Sequence, residues 1–196
     1  GDEHVTPTAF PFKSFELGKG LFIDLSTVDP QVFTESLELN SDVATPIKSA
    51  YSKKVAGITD LVSELGELKE SREASKYLIN KAVRVAQVLQ RSFSGVFAKN
   101  IVSELEAPWI EGVGKAVHIN LAGNSKNIQF LLIYSLLASL RKPASKLAAI
   151  IVLEQDASDL PKKLFELIQS FQGIGVVLHS QSDLSELNEA NKIELV

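Results

Sequence analysis

The sequence contains no cysteine and no methionine, and only three histidines, His4, His118 and His179. Without cysteine the chain has no disulfide framework, no thiolate nucleophile and no cysteine-ligated zinc. No two histidines have the i, i+4 spacing that places both imidazoles on one helix face, so a histidine-rich metal centre is not expected. The absence of methionine from a leucine-rich chain is expected of a fragment, and Gly1 is not a natural first residue.

Long hydrophobic runs are also missing. The longest, Ile128 to Leu140, is interrupted by Gln129 and Ser135 and is shorter than the roughly 20 residues that a membrane-spanning helix needs. We therefore expect a buried helix and no membrane span. No signal peptide opens the chain, which favours a cytoplasmic location.

The charge balance is mildly acidic, with a net charge of −4 over 196 residues. This argues against a globally basic nucleic-acid binder but permits a local basic patch. Hydrophobic residues make up 45% of the chain and charged residues 22%, as in ordinary soluble domains. The length and composition predict one domain, residues 1–196, that buries its own core.

The first half of the chain reads as helical after a short start. Residues 1–19 contain prolines and glycines and are predicted to be irregular, whereas Leu21 to Leu25 is predicted to be a strand. Helices are then predicted from Asp29-Pro30, from Thr45-Pro46, from Thr59, over Ser71 to Phe93, and over Asn100 to Glu106. Residues 30–107 therefore form an all-helical insertion between the first and second strands.

The second half alternates between apolar strands and amphipathic or apolar helices. Strands are predicted over 116–121, 147–153, 173–178 and 192–196, with helices from Ser125 to Leu140 and from Asp159-Pro161 onward. The alternation predicts right-handed βαβ units and therefore an α/β fold with a parallel sheet.

Polar residues follow the predicted strands, where open parallel sheets bind their ligands. The three places to inspect are Asn120 to Asn124, Glu154 to Asp159, and His179 to Asp183. Glu154 and Gln155 end an apolar strand, and an acidic side chain at that position holds magnesium in nucleotide-hydrolysing folds. Ser180 and Gln181 follow the next strand, where small polar groups could sense a γ-phosphate or orient a water.

The region from Gly18 to Val196, about nine tenths of the chain, resembles the part of the HerA/FtsK-superfamily ATPases that follows their phosphate-binding loop, and the HerA type most closely. Each similar stretch is weak alone, but all follow the family's order. They are Phe22 to Ser26 with Asp29 to Phe33, Thr45-Pro46 with Ala50-Tyr51 and Thr59 to Val62, Gly114 to Gly123, Ile150 to Gln155, and Gly173 to Gln181.

The resemblance implies a parallel sheet of the P-loop NTPase type (RecA/ASCE-like), in a family of hexameric, DNA-translocating enzymes of archaeal or bacterial type that use ATP and magnesium. By the same resemblance Glu154 and Gln155 occupy the Walker B positions, with Glu154 the candidate magnesium ligand, and Ser180 and Gln181 occupy sensor positions. It also implies protein partners or self-association, with DNA contacted through the assembly.

The departures from the family concern its chemistry. No Gly-x-x-x-x-Gly-Lys-[Ser/Thr] occurs, and Gly18-Lys19-Gly20 has neither that spacing nor the hydroxyl. Gln155 stands where the family has its water-activating Glu, and an amide cannot accept a proton at neutral pH. Loss of such a base lowers a rate by about 10²- to 10⁴-fold. We therefore expect no intact catalytic residue and no unaided hydrolysis of ATP.

Less specific interpretations remain open for these residues. Glu154 and Gln155 could cap the loop after their strand, contact a nucleotide, or lie in a subunit interface, and His179 is more typical of a satisfied strand-end histidine. The basic residues of the long helix favour a solvated face over a DNA-contacting stripe. They are Arg72, Lys76, Lys81, Arg84 and Arg91.

Three functions follow. The favoured hypothesis is a non-catalytic HerA-like domain that serves as a structural or regulatory partner in a DNA-processing or translocation assembly. The first alternative is the carboxyl-terminal part of an active hexameric translocase whose phosphate loop lies upstream. The second is an α/β protein-interaction domain with no nucleotide function.

Overall fold

A computed structural model of the chain describes residues 12–51, 54–71, 75–99, 116–121, 123–140, 149–154, 162–169 and 174–179. The chain divides into two compact units, Gly1–Lys142 and Pro143–Val196. Both contain helices and parallel strands, so the α/β class and the parallel pairing expected from the sequence are confirmed. Among the described helices, none is long and apolar enough to cross a membrane.

The sheet of the first unit joins distant parts of the sequence. Its strands are β1 (Phe12–Leu17), β2 (Gly20–Leu21) and β3 (Ala116–Asn120), in the order β2-β1-β3. Strand β1 runs parallel to β3, with Phe12 opposite Ala116 and Glu16 opposite Asn120. The prediction that residues 1–19 are irregular is therefore wrong over β1. Pairing with a strand about a hundred residues away decides its conformation, and the proline and glycine nearby do not prevent it.

The strand predicted over Leu21 to Leu25 is also largely wrong. Only Gly20–Leu21 is paired in the sheet, and Ile23 forms a single parallel bridge with Phe97. The Asp24 side chain then accepts a hydrogen bond from the Ser26 nitrogen and starts a 3₁₀ turn, Leu25–Thr27. The extended backbone ends because Asp24 caps this turn.

Among the described residues, four helices lie between β2 and β3, and the first two begin where a side chain caps a free N–H group. Helix α1 (Pro30–Ser36) begins after Asp29, as predicted, and the Asp29 side chain accepts a hydrogen bond from the Gln31 nitrogen. Helix α2 (Ser41–Ala50) is capped by Asn40. Its predicted start at Thr45-Pro46 is wrong, because Pro46 lies inside the helix.

Helices α3 (Ile58–Glu70) and α4 (Lys76–Ser92) follow. Helix α3 begins after Gly57 rather than at the predicted cap Thr59, because the Asp60 carboxylate reaches back to accept hydrogen bonds from the nitrogens of Ala56 and Gly57. The predicted helix from Ser71 is wrong at its start. Ser71 ends α3 instead, and its nitrogen donates to the carbonyl of Glu67.

Helix α4 packs against α2 and α3. Its buried residues are Ile79, Ala82 and Ala86, and the two alanines allow a close approach between the helices. Tyr77 is 73% exposed and lies at the surface.

Helix α5 (Lys126–Leu140) follows β3 and packs against α1 and the turn at Leu25–Thr27. Phe130, Leu131, Leu132 and Ile133 are all buried, and four consecutive helical positions point around the whole circumference. This confirms the prediction of a helix that is covered on several sides.

The second unit is a βαβ unit. It contains β4 (Ala149–Glu154), α6 (Lys162–Gln169) and β5 (Ile174–His179). The two strands are parallel, and their register runs from Ala149 opposite Ile174 to Glu154 opposite His179. Leu164 and Leu167 of α6 are buried. The predicted helix at 100–106 and strand at 192–196 lie outside the described residues.

Candidate functional site

The end of the parallel pair in the second unit carries two of the residues singled out in the sequence. Glu154 is the last residue of β4, His179 is the last residue of β5, and the two are register partners. The strand that resembles Walker B therefore ends beside the strand that resembles the sensor strand. Gln155, Ser180 and Gln181 lie outside the described residues, so their roles and the magnesium role of Glu154 stay predictions.

The Gly18–Gly20 loop is the part of the described chain whose composition comes closest to a phosphate loop. Two of its N–H groups are bonded to flanking residues: the Gly18 nitrogen donates to the Leu21 carbonyl at 2.8 Å and the Lys19 nitrogen to the Glu16 carbonyl at 3.0 Å. The Lys19 ammonium pairs with the Glu16 carboxylate at 2.9 Å. A phosphate cradle needs free N–H groups converging on one point, and these two are directed at carbonyls.

The loop after β3, another place where ligands were expected, is held by its own following helix. The Gln129 amide donates to the carbonyls of Leu121 and Asn124 at 3.1 and 2.8 Å. Gly123 has a φ of 80°, a value that glycine adopts without strain. These bonds fix the path of the loop from strand to helix.

The most buried polar cluster of the described chain joins the turn after β2 to α5. Asp24 is 4% exposed and Ser135 is 0% exposed. One oxygen of the Asp24 carboxylate, Oδ1, accepts hydrogen bonds from the Ser26 nitrogen at 2.9 Å and the Ser26 hydroxyl at 2.6 Å. The Asp24 nitrogen donates to the Ser135 hydroxyl at 3.1 Å.

Thr27 closes this cluster. Its hydroxyl lies 2.9 Å from the Ser135 hydroxyl and donates to the Asp24 carbonyl at 2.7 Å. The Thr27 hydroxyl thus contacts groups on both segments, the Ser135 hydroxyl reaches from α5 to the turn, and the cluster fixes the turn at Leu25–Thr27 against α5. Buried polar groups that bond one another in this way specify a single packing arrangement.

Tyr51, at the end of α2, reaches the same turn from another side. Its hydroxyl donates to the Leu25 carbonyl at 2.8 Å. Burial, followed by the nearby carboxylates of Asp24 and Asp29, raises the pKa of Tyr51 well above its usual value of about 10. The hydroxyl therefore stays protonated and serves as a donor at every physiological pH.

The chemistry of this cluster is structural. In the part of the chain that the structure describes, no buried side-chain nitrogen or oxygen lacks a hydrogen-bond partner, so the cluster holds no orphaned group for a ligand. Over the same residues no group of three carboxylate or imidazole side chains lies close enough to hold a metal ion.

The sequence alone did not predict that Asp24, Tyr51 and Ser135 meet at one turn. Asp24 and Tyr51 were noted only within stretches resembling a family, and Ser135 only as an interruption of an apolar run. The available signal was Ser135 itself, because a hydroxyl in the middle of a helix that is buried all round needs a partner.

Comparison of the chain with models of known protein families, with curated proteins and with solved structures gave no match.

Proposed function

We propose that this chain is a HerA-like ATPase-fold domain that does not hydrolyse ATP and acts by binding protein partners within a DNA-processing or translocation assembly. The observation that carries the proposal is the closed Gly18–Gly20 loop. The N–H groups of Gly18 and Lys19 donate to the carbonyls of the flanking residues Leu21 and Glu16, and the Lys19 ammonium is paired with the Glu16 carboxylate. In a domain that resembles this family, a loop closed in this way does not cradle a phosphate, so we expect the chain to bind partners rather than to hydrolyse ATP.

The end of the parallel pair supports the same proposal. Glu154 and His179 are register partners, which is the neighbourhood that the resemblance implies for Walker B and sensor residues. Gln155 follows Glu154 in the sequence, and its amide cannot act as the general base that activates water.

The residues of this chain do not fit ATP and magnesium together. Glu154 could supply one carboxylate oxygen to a magnesium ion, but magnesium in such sites is shared with substrate phosphates. No Gly-x-x-x-x-Gly-Lys-[Ser/Thr] occurs in the sequence to hold those phosphates. We therefore derive no step through bound nucleotide.

The test is phosphate release from ATP in the presence of magnesium, compared between the protein and Gln155→Glu. We expect no magnesium-dependent release from either, because restoring the base does not restore the phosphate cradle. Glu154→Gln is the matched control, since it changes the adjacent side chain between the same two chemical types. Turnover by the unchanged protein would contradict the proposal and favour an active translocase. Turnover only in Gln155→Glu would show that nucleotide is held after all.

A protein-interaction domain without nucleotide function is the second candidate. Tyr77 and Val88 favour it, since both are large exposed hydrophobic side chains on one helix. This second candidate also predicts that the chain does not hydrolyse ATP. An experimental structure whose strand order differs from that of P-loop ATPases would favour it over a HerA-like domain.

A further inference from the structure

Two large hydrophobic side chains are exposed in the described part of the chain, and both lie on one face of α4. Tyr77 is 73% exposed and Val88 is 59% exposed. They are 11 positions apart in the sequence, which places them about 20° from each other around the helix and about 16 Å apart along it. The residues that α4 buries, Ile79, Ala82 and Ala86, lie on the opposite face.

Unpaired cations lie on the same face as these two side chains. Arg84 and Arg91 are exposed, and neither has an ion-pair partner among the described residues. Lys81 also lies on this face, but its ammonium contacts the Asp42 carboxylate of α2 at 2.9 Å. The two guanidinium groups are therefore free to pair with carboxylates of another molecule.

The charge of α4 has one sign. Its 17 residues include four lysines and arginines and no aspartate or glutamate, although the whole chain has a net charge of −4. Two copies of this face would repel each other, because neither supplies a carboxylate to the other's arginines. The face is therefore suited to an acidic partner and not to a second copy of itself.

The combination of residue types is that of a binding surface. Single exposed hydrophobic residues are ordinary at protein surfaces, but here the two that the described chain exposes stand on one face beside two unpaired arginines. Tyrosine and arginine are the residue types most enriched at the centres of protein–protein interfaces. A face that only meets water needs neither of the exposed apolar side chains.

We infer that this face of α4 binds an acidic amphipathic helix of another protein. Tyr77 and Val88 contact apolar side chains of that helix, and Arg84 and Arg91 pair with its carboxylates. The inference rests on the partner-binding role given under the proposed function, and it adds the surface that binds and the chemistry of the partner.

The spacing along α4 defines the sequence pattern of the partner. Arg84, Val88 and Arg91 follow one another at steps of four and three residues, and they extend about 10 Å along the helix. A helix packed alongside contacts them through residues at the same steps. The partner should therefore present a carboxylate, an apolar side chain and a second carboxylate at steps of three or four residues.

A nucleic acid is the other polyanion that could meet these arginines. Val88 lies between Arg84 and Arg91 in the sequence, and contacts with phosphate oxygens make no use of an apolar side chain. The net negative charge of the chain also works against a long polyanion. A protein helix that combines carboxylates with apolar side chains fits both features of the face.

The experiment selects ligands for the whole protein from a display library of helix-forming peptides of about 20 residues, in which one face is randomised. The enriched peptides should have a net negative charge and carry the pattern given above. Fluorescence anisotropy of synthetic copies then gives their Kd for the protein, for Arg84→Glu/Arg91→Glu and for Tyr77→Ser/Val88→Ser. Each pair of substitutions should raise the Kd at least about tenfold.

Lys48→Glu/Lys69→Glu is the matched control. It makes the same change of net charge as the arginine reversal, but at two exposed lysines of α2 and α3, so its Kd should equal that of the unchanged protein. Binding to the unchanged protein should weaken between about 0.1 M and 1 M ionic strength, because salt screens exposed charges. Circular dichroism establishes that each variant is folded.

Four results would overturn the inference. They are a library that yields no binder, enriched peptides without a net negative charge, a Kd that neither pair of α4 substitutions raises, and equal weakening by the lysine control. A fluorescent oligonucleotide that binds the unchanged protein but not Arg84→Glu/Arg91→Glu, while no peptide binds, would assign the face to nucleic acid.

Failure here is distinguishable from failure of the proposed function. Peptides that bind with no dependence on α4 would remove this surface and leave the partner-binding role intact. Turnover of ATP would contradict the proposed function without changing the Kd values of the α4 variants, because the face contains no strand-end residue.

Discussion

The hydroxyl of Ser135 accepts a hydrogen bond from the backbone nitrogen of Asp24 at 3.1 Å, across 111 residues of sequence. This bond joins the turn that precedes the helical segment to the helix that follows it. Two segments of the first unit that are far apart in the sequence are thus held together at one buried point. The strength of this connection can be measured by removing a single oxygen atom.

Ser135→Ala should lower the free energy of unfolding by about 1–3 kcal/mol, because the buried Asp24 N–H loses its acceptor. Urea unfolding measures this change. Ser139→Ala is the control: the Ser139 hydroxyl donates only to the Ser135 carbonyl, one turn earlier in the same helix, so its loss should change stability by less than about 0.5 kcal/mol. Equal effects of the two substitutions would contradict the role given to Ser135.

Because of Tyr51, the free energy of unfolding should depend on pH in the alkaline range. Its raised pKa means that the folded protein holds the phenolic proton more tightly than the unfolded chain. This contribution is fully present below a pH of about 10, the usual pKa of tyrosine, and is lost as the pH rises further. Urea midpoints from neutral pH to about pH 11 should therefore fall for the unchanged protein.

Tyr51→Phe isolates that contribution. It should destabilise the protein by about 1 kcal/mol at neutral pH through loss of the Leu25 hydrogen bond, and its own midpoint should fall less above pH 10. Tyr77→Phe, at an exposed tyrosine, should behave like the unchanged protein. Parallel alkaline curves for all three proteins would show that Tyr51 does not titrate abnormally.

Replacement of Gly57 and of Gly66 by alanine should change the stability of the protein in opposite directions. A Cβ at Gly57 would meet the Phe97 carbonyl oxygen at 2.9 Å, which is too close for an atom fixed in the backbone, so Gly57→Ala should destabilise the protein by about 1–3 kcal/mol. A Cβ at Gly66, inside α3, would meet nothing within 4 Å. Gly66→Ala should stabilise the protein by about 0.5–1 kcal/mol. Thermal unfolding checks both predictions: the midpoint should be lowest for Gly57→Ala, intermediate for the unchanged protein and highest for Gly66→Ala.

The sequence predicts best those features that depend on neighbouring residues. Asp29 caps α1 as expected because the capping bond spans only two residues. Helix α5 and strands β3 to β5 were predicted because each is a mainly apolar segment of the sequence. Pro46 was misread as a helix start because the cap at Asn40, which governs α2, lies six residues earlier and has no proline to mark it.

Features that depend on distant partners were not predictable. Strand β1 exists because β3 pairs with it, and the Asp24–Ser135 bond joins residues that are 111 positions apart in the sequence. The sequence did identify Glu154 and His179 as strand-end residues, whereas only the structure shows that they are register partners. The exposure of Tyr77 and Val88 became visible only when the packing of α4 against α2 and α3 fixed the rotation of the helix.

We propose that this domain does not hydrolyse ATP. A single-turnover assay tests it most directly: radiolabelled ATP and magnesium are incubated with an excess of protein, so that even one slow conversion per active site is visible. We expect the amount of ADP formed to stay at the level of a protein-free control. Conversion that requires the protein and stops when magnesium is chelated would contradict it.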